Sequence, residues 1–243
     1  MVLESRFRGP NSLQPVIEGG LEQPEISYDL RDDYDLGAQF FLWEFAVATA
    51  GHILNINPFN EPNVQESKEN TNNILAQYEK QGKLPEPQQV IQQGNITVYG
   101  PGNGAGSLTD YLHTFLSQVQ PGDYIAIMAY VQQNEETEGD LEALRIRLRN
   151  LYRVATTVGY GPRFLHSTGQ LHKGGANNGV FIQITGQDQH DMAIPGEPYT
   201  FGILKAAQAL GDYYSLEHHQ RRVISIHIAG NLGQGLHAIE QAV

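Results

Sequence analysis

Cysteine is absent from the 243 residues, which excludes both disulfides and thiolate metal sites. Basic residues are scarce: 15 Lys and Arg stand against 27 Asp and Glu, for a formal net charge of −12. Binding along a phosphate backbone needs clustered cations, so no nucleic-acid partner is expected. The basic helix EALRIRLRNLYR (142–153) alternates with apolar residues and reads as a solvated helix face. Any anionic ligand must be met by a few placed cations. No apolar run approaches the roughly 18 residues of a membrane-crossing helix, and MVLESRFRGPNSLQ lacks the apolar stretch of a secretory signal. A cytoplasmic protein with no membrane partner is expected.

Metal-ligand spacing is missing too. There is no H-E-x-x-H, His166 and His172 have no nearby carboxylate, and His218 and His219 are adjacent in EHHQRR. Neither a metal nor a cofactor is expected. The glycine-rich GPGNGAGS (100–107) fits a dinucleotide fingerprint only loosely and has no Walker lysine. It reads as a strand-to-helix turn.

What is present describes a globular chain: 40% hydrophobic and 17% charged residues, enough for one large or two small domains. PVI (15–17) and ISYDL (26–30) are possible short strands. LGAQFFLWEFAVATAGHIL (36–54) is apolar on nearly all sides and reads as a buried helix. Its internal Glu44 then asks for a buried partner, since a desolvated carboxylate is costly alone. A second helix is expected after Asn60 as cap, with Pro62 in its first turn, carrying Lys68. A polar linker (82–94) follows. Strands are expected at 96–99, 123–131, 179–185 and 221–229, and helices at 107–119, 137–155 and 199–216. The third of these strands is preceded by GYGPRFLHSTGQLHKGGANN (159–178). Leucines 141, 144, 148 and 151 mark the buried stripe of the second of these helices. Apolar runs alternating with helices predict an α/β fold, a three-layer sandwich around a mostly parallel sheet, preceded by a helical segment. The expected division is 1–82 and 83–243, packed as one unit.

Segment 159–178 reads either as a ligand-gathering loop or as a polar turn that holds histidines. A resemblance bears on that choice. FFLWEFAVATAGHILNINPFNEPNVQESKEN (40–70) resembles the C-terminal helices of glucose-6-phosphate isomerases, with their helix glutamate, NPFDQPxV and lysine. GPRFLHSTGQLHKGG (161–175) resembles the LHSxGQ segment that carries the family's histidine. The run from TTVGYGPRFLHSTGQLHKGG through IPGEPYTFGILKAAQALGD is similar to the C-terminal part of bifunctional transaldolase/glucose-6-phosphate isomerase proteins, in which the lysine also precedes the histidine.

The resemblance implies a sugar-isomerase-like fold and an aldose–ketose isomerase acting on glucose 6-phosphate and fructose 6-phosphate. It implies His166 and Lys68 as catalytic residues of ring opening, with Glu61, Arg163, Gln170 and Lys173 as substrate-binding residues. The partners implied are a sugar phosphate and either a second copy of the chain or the remaining isomerase domains. Three departures stand beside it. Glu61 occupies the place of the family's glutamine. The Ser/Thr-rich phosphate loop and the E-S-x-G-K-type glutamate motif are both missing, and Glu138 in ETEGD only echoes the latter. The glutamate base and phosphate loop are therefore expected from outside this chain, which alone is expected to be inactive. The alternative from another class is a non-catalytic sugar-phosphate-binding or assembly module.

Overall fold

A computed structural model describes residues 2–5, 25–28, 30–102 and 106–243, with the backbone alone for the first two stretches. The strand expected at 15–17 lies outside the described residues, as does the centre of the glycine-rich loop. Contacts divide the chain into Met1–Asn60 and Glu61–Val243. The expected boundary at 82/83 falls inside the second unit, so the lysine-bearing helix belongs with the α/β unit.

The first unit holds β1 (Val2–Ser5) parallel to β2 (Glu25–Tyr28), and helix α1 (Asp33–Leu54). Asp32 caps α1 by accepting from the Asp35 amide, and Asn55 closes it in a left-handed conformation. The expectation of burial is overturned. Gly51 alone is buried in α1, Phe41 and Ile53 are 71% and 76% exposed, and Glu44 is exposed as well. A helix apolar on nearly all sides signals burial only when a neighbour covers it. Glu44 reaches water and needs no buried partner.

The second unit runs α2 (Pro62–Gln81), β3 (Gln89–Gln93), β4 (Ile96–Tyr99), α3 (Leu108–Leu116), β5 (Tyr124–Tyr130), α4 (Glu135–Tyr152) and β6 (Ala155–Tyr160). A single 3₁₀ turn (Arg163–His166) follows, then α5 (Gly169–Gly174), β7 (Gly179–Gly186), α6 (Phe201–His218), β8 (Arg222–Ile228) and α7 (Leu232–Ala242). The sheet order is β3-β4-β8-β7-β5-β6. Strands β8, β7, β5 and β6 are parallel, and β4 and β3 add an antiparallel edge. The fold is thus α/β with a six-stranded, mostly parallel sheet.

Strands β5, β7 and β8 are legible because they are buried on both faces and read as apolar β-branched runs. One face packs its isoleucines on α3, α4 and α7. The other packs Met128, Tyr130, Phe181 and Val223 on α6. Outside α6 lies α2, joined through Ile74, Leu75 and Ala207. Gly211 makes that approach possible, since a Cβ there would stand 3.1 Å from Thr71 Oγ1.

Several expectations need correction. β3 lies in the supposed linker, and the helix expected to reach 155 stops at Tyr152, where Arg153 turns left-handed. The following β6 is an edge strand with alternating exposure, so its threonines hide it. α7 carries two glycines, which weaken its helical signal. Arg149, read as solvated, is buried on the side chain of Asn150. Finally the leucine stripe ends at Leu148, and Leu151 is 53% exposed. Leu144→Ala is expected to cost about 2–5 kcal/mol through cavity formation. Leu151→Ala is expected to cost under about 0.5 kcal/mol. Urea unfolding of the two variants checks this, and equal losses would contradict the assigned face.

Candidate functional site

Helix α2 begins without a side-chain cap of its own. Pro62 takes its first position and Glu61, not Asn60, is the N-cap residue, with no side-chain bond to the helix. The first amides of a helix need partners from elsewhere. Gln170, at the start of α5, supplies one: its Oε1 accepts from the Asn63 amide at 3.0 Å, and its Nε2 donates to Asn63 Oδ1 at 2.8 Å. The LHSTGQ and NPFNEPN segments, 107 residues apart, are thereby joined. Gly174 leaves room for this pair, since a Cβ there would lie 2.6 Å from Asn63 Oδ1.

The network continues. Asn63 Nδ2 donates to Glu66 Oε2 at 3.0 Å, Ser215 Oγ donates to Glu66 Oε1 at 2.7 Å, and His219 Nε2 lies 2.8 Å from Glu66 Oε2. Burial alone would raise the Glu66 pKa, but the hydrogen bonds from His219, Ser215 and Asn63 together bring it below the ordinary value. A double-mutant cycle of Asn63→Ala and Gln170→Ala, read by chemical denaturation, is expected to show a coupling of about 0.5–3 kcal/mol. Additive losses would refute the pairing.

The 3₁₀ turn sorts its residues by face. Phe164 and Leu165 are buried, with the Phe164 ring edge-on to Tyr130 at a centroid distance of 5.6 Å. Arg163 and His166 point outward. His166 thereby reaches a cleft of about 170 Å³ between α2, the turn and α6, walled by Ser67, Lys68, Thr71, Leu165, His166 and Gln208 among others. Lys68 and His166 thus share one cleft from different elements. Ser67 Oγ and Thr71 Oγ1 turn back onto the carbonyls of Asn63 and Ser67 at 3.1 and 2.9 Å, so the cleft's donors are Lys68, His166 and the side-chain amides of Asn72 and Gln208.

The other expected site residues lie outside that wall. Arg163 Nη2 donates to Gln133 Oε1 at 3.2 Å. Glu61 is exposed at the N-cap, and Gln170 is engaged with Asn63. Lys173 is 2% exposed and ion-paired with Asp212, itself 1% exposed. Burial raises the Asp212 pKa, and the attraction of Lys173 opposes it. Removing one member of such a pair strands a charge in the interior, at about 3–5 kcal/mol. Arg221 Nη2 donates to the carbonyls of Lys173 and Gly175 and so ties down the end of α5.

Sequence reasoning missed Asp212, Asn63 and Glu66, and weighed His219 only as a metal ligand. For Asp212 the signal was available: a lone carboxylate in the apolar run KAAQALGDYYSL. At the start of α6, Asp191 accepts from Thr200 Oγ1 at 2.5 Å and from the Gly202 amide at 2.7 Å. At α3, Ser107 and Asp110 form a capping box, which satisfies the amides that the glycine-rich loop leads into. Among the described residues, no group of three or more His, Cys, Asp or Glu is placed to hold a metal ion, and no helix is long and apolar enough to cross a membrane.

His172 sits beside Lys173 in a cage of Tyr124, Phe164 and Phe181, with ring centroids 6.1, 6.0 and 5.1 Å away. Among the described residues its Nδ1 has no hydrogen-bond partner. Burial, aided by the Lys173 charge, pulls its pKa down from 6.5 to about 4. Above about pH 6.5 the imidazole is neutral whether folded or unfolded, and its stabilising contribution is fully present. As pH falls towards 4 the unfolded chain takes up the proton first, and stability drops by on the order of 3 kcal/mol. His172→Phe keeps the aromatic packing and is expected to abolish that loss. Urea midpoints measured across this pH range decide it.

No protein-family model matches this chain. Parts of it are similar to glucose-6-phosphate isomerases. The identity is 36% over 66 residues with that of Lactiplantibacillus plantarum, covering 27% of this chain and 14% of the relative. It is 44% over 54 residues with that of Mycoplasmopsis pulmonis, covering 21% and 13%. With the Acholeplasma laidlawii enzyme it is 33% over 75 residues, covering 31% and 17%. The matches therefore span under a fifth of each relative. A hypothetical protein from Thermus thermophilus superposes with a TM-score of 0.44 at 16% identity, over 55% of this chain and 37% of that one, and assigns no fold family.

Proposed function

We propose that this chain contributes the ring-opening half of a sugar-phosphate aldose–ketose isomerase that interconverts glucose 6-phosphate and fructose 6-phosphate. The observation that carries the reading is the meeting of Lys68 and His166 in one cleft, from segments tied together by Asn63 and Gln170. Sequence similarity to glucose-6-phosphate isomerases supports it. Opening the sugar ring moves a proton between the ring oxygen and the anomeric hydroxyl. A histidine serves this near neutrality, and an ammonium beside it favours an anionic substrate. Gln170 and Lys173 then act by holding the His166 segment, while Arg163 and Glu61 flank it. The glutamate base and phosphate loop come from outside this chain, from a second copy or from further isomerase domains. The order of Lys68 before His166 favours the fused transaldolase/isomerase type, and the reading carries with it a sugar-isomerase-like sheet and a cytoplasmic location.

A second reading, a sugar-phosphate-binding module without turnover, is favoured by Glu61, a carboxylate where the resemblance calls for glutamine. Titration with fructose 6-phosphate and an isomerase assay, on the chain alone and on any longer protein containing it, separate the two. The proposal expects binding, and a turnover in the longer protein that falls by about 10²–10⁴ in His166→Asn with the fold intact. Lys68→Ala is expected to weaken sugar-phosphate binding. Binding without turnover in every form would establish the module. Turnover unchanged in His166→Asn would remove the histidine from the mechanism.

A further inference from the structure

The two faces of the central strands differ in a way the Lys68–His166 cleft does not use. Towards α3, α4 and α7 the strands present an unbroken apolar surface: Ile125 and Ile127, Val180, Ile182 and Ile184, Ile224, Ile226 and Ile228. Towards α6 the first halves are apolar too, with Met128, Phe181 and Val223. The second halves are not. Tyr130, Gln183, Thr185, Ser225, His227 and, across the antiparallel edge, Tyr99 form two rows in register, with Thr185 beside His227 and Tyr99 and Gln183 flanking Ser225. Polar residues on a sheet face that a helix would cover are costly unless something polar meets them.

Helix α6 does not close over them. It presents Gly202, Ala206 and Ala209 there, and with Leu84 and Pro85 these roof a cavity of about 450 Å³ above the polar rows. The cavity opens at the carboxyl ends of β5, β7 and β8, the place where open α/β sheets take ligands, and its size is that of a small-molecule site. Part of the floor is already ordered. Ser225 Oγ donates to Gln183 Oε1 at 2.9 Å, Gln183 Nε2 donates to the Ala209 carbonyl at 2.9 Å, and Thr185 Oγ1 lies 2.9 Å from His227 Nδ1. The hydroxyl of Tyr130 has no hydrogen-bond partner among the described residues, but it is closed off from solvent and feels the Asp212 charge, so the floor's reachable polar groups are those of Thr185 and His227.

Charge at the cavity cancels. Lys83 and Lys205 are matched by Glu86 and Asp188, and Lys205 is ion-paired with Asp188. Burial, with Lys205 nearby, lowers the pKa of His227, so near neutral pH it offers a neutral imidazole. We infer that this cavity binds an uncharged ring compound bearing several hydroxyl groups, of up to nucleoside size, with its ring against the alanine-and-proline roof and its hydroxyls on the Thr185–His227 pair. The inference stands apart from the isomerase reading and survives its failure.

The ¹⁵N-labelled chain is titrated with adenosine, with methyl α-glucoside and, separately, with inorganic phosphate. At least one neutral probe is expected to shift the Thr185, His227 and Lys205 amides with a Kd below about 1 mM, leaving the Lys68 amide unmoved. Thr185→Val, which keeps the side chain's shape and removes its hydroxyl, is expected to weaken that binding about three- to tenfold. Ala206→Phe is expected to abolish it, and Thr185→Val carries the test should the larger side chain disturb folding. No shift with either neutral probe at about 10 mM, an equal response to phosphate, or unchanged affinity in Thr185→Val would each overturn the inference.

Discussion

The site depends on one mutual hydrogen-bonded contact, that of Asn63 with Gln170. Helix α2 starts on Pro62 behind a residue that caps nothing, so its N-terminus is unfinished until another segment arrives. Gln170 completes it as a remote cap, and the exchange is specific because each side-chain amide has one donor end and one acceptor end. Both Lys68 and His166 are also held on α6, α2 through Ile74, Leu75 and Ala207 and the histidine segment through Lys173 and Asp212, but this contact is the one that ties the start of α2 directly to α5. With it, Lys68 lies one helical turn beyond a pinned helix start, and His166 lies four residues before the pinning glutamine. The position of the cleft therefore owes part of its definition to helix capping.

A second constraint holds the histidine segment from beneath. Lys173 and Asp212 are both desolvated, and such a pair contributes little net stability because desolvation offsets most of the attraction. What it does contribute is position: α5 can sit on α6 only where ammonium meets carboxylate. His172 in its aromatic cage and Arg221 on two α5 carbonyls act in the same direction. A six-residue helix is too short to persist by its own hydrogen bonds, so these anchors fix its place. The proton transfer proposed for His166 would need this rigidity, since small misplacements of a general acid or base cost large factors in rate.

The sequence made the sheet legible wherever strands are buried on both faces, because the pattern there reduces to runs of isoleucine and valine. It concealed the edges. β6 is half-solvated and threonine-bearing, β3 is glutamine-rich, and both resemble linker. The same physics misdirected attention to Glu44, since a carboxylate in an apolar helix asks for a partner only if the helix is covered. α1 is not covered, α6 is, and the partnered carboxylate is Asp212. The cleft was half legible. LHSTGQ and NPFNEPNVQESK were picked out by resemblance, but the side chains that join them are ordinary Asn, Gln, Glu and Ser. Only the folded chain brings these together across more than a hundred residues, and no local pattern announces it.

Both proton carriers of the proposed mechanism stand at an exposed rim. General acid–base transfer from such a position competes with bulk water, and the electrostatic influence of a lysine is weak until water is displaced. The acidic chain as a whole, at −12, gives no field to gather an anionic sugar, so binding must come from local contacts that the cleft of about 170 Å³ supplies only in part. The proposed isomerisation at Lys68 and His166 would therefore require more protein surface than the described residues of the second unit bring to the cleft.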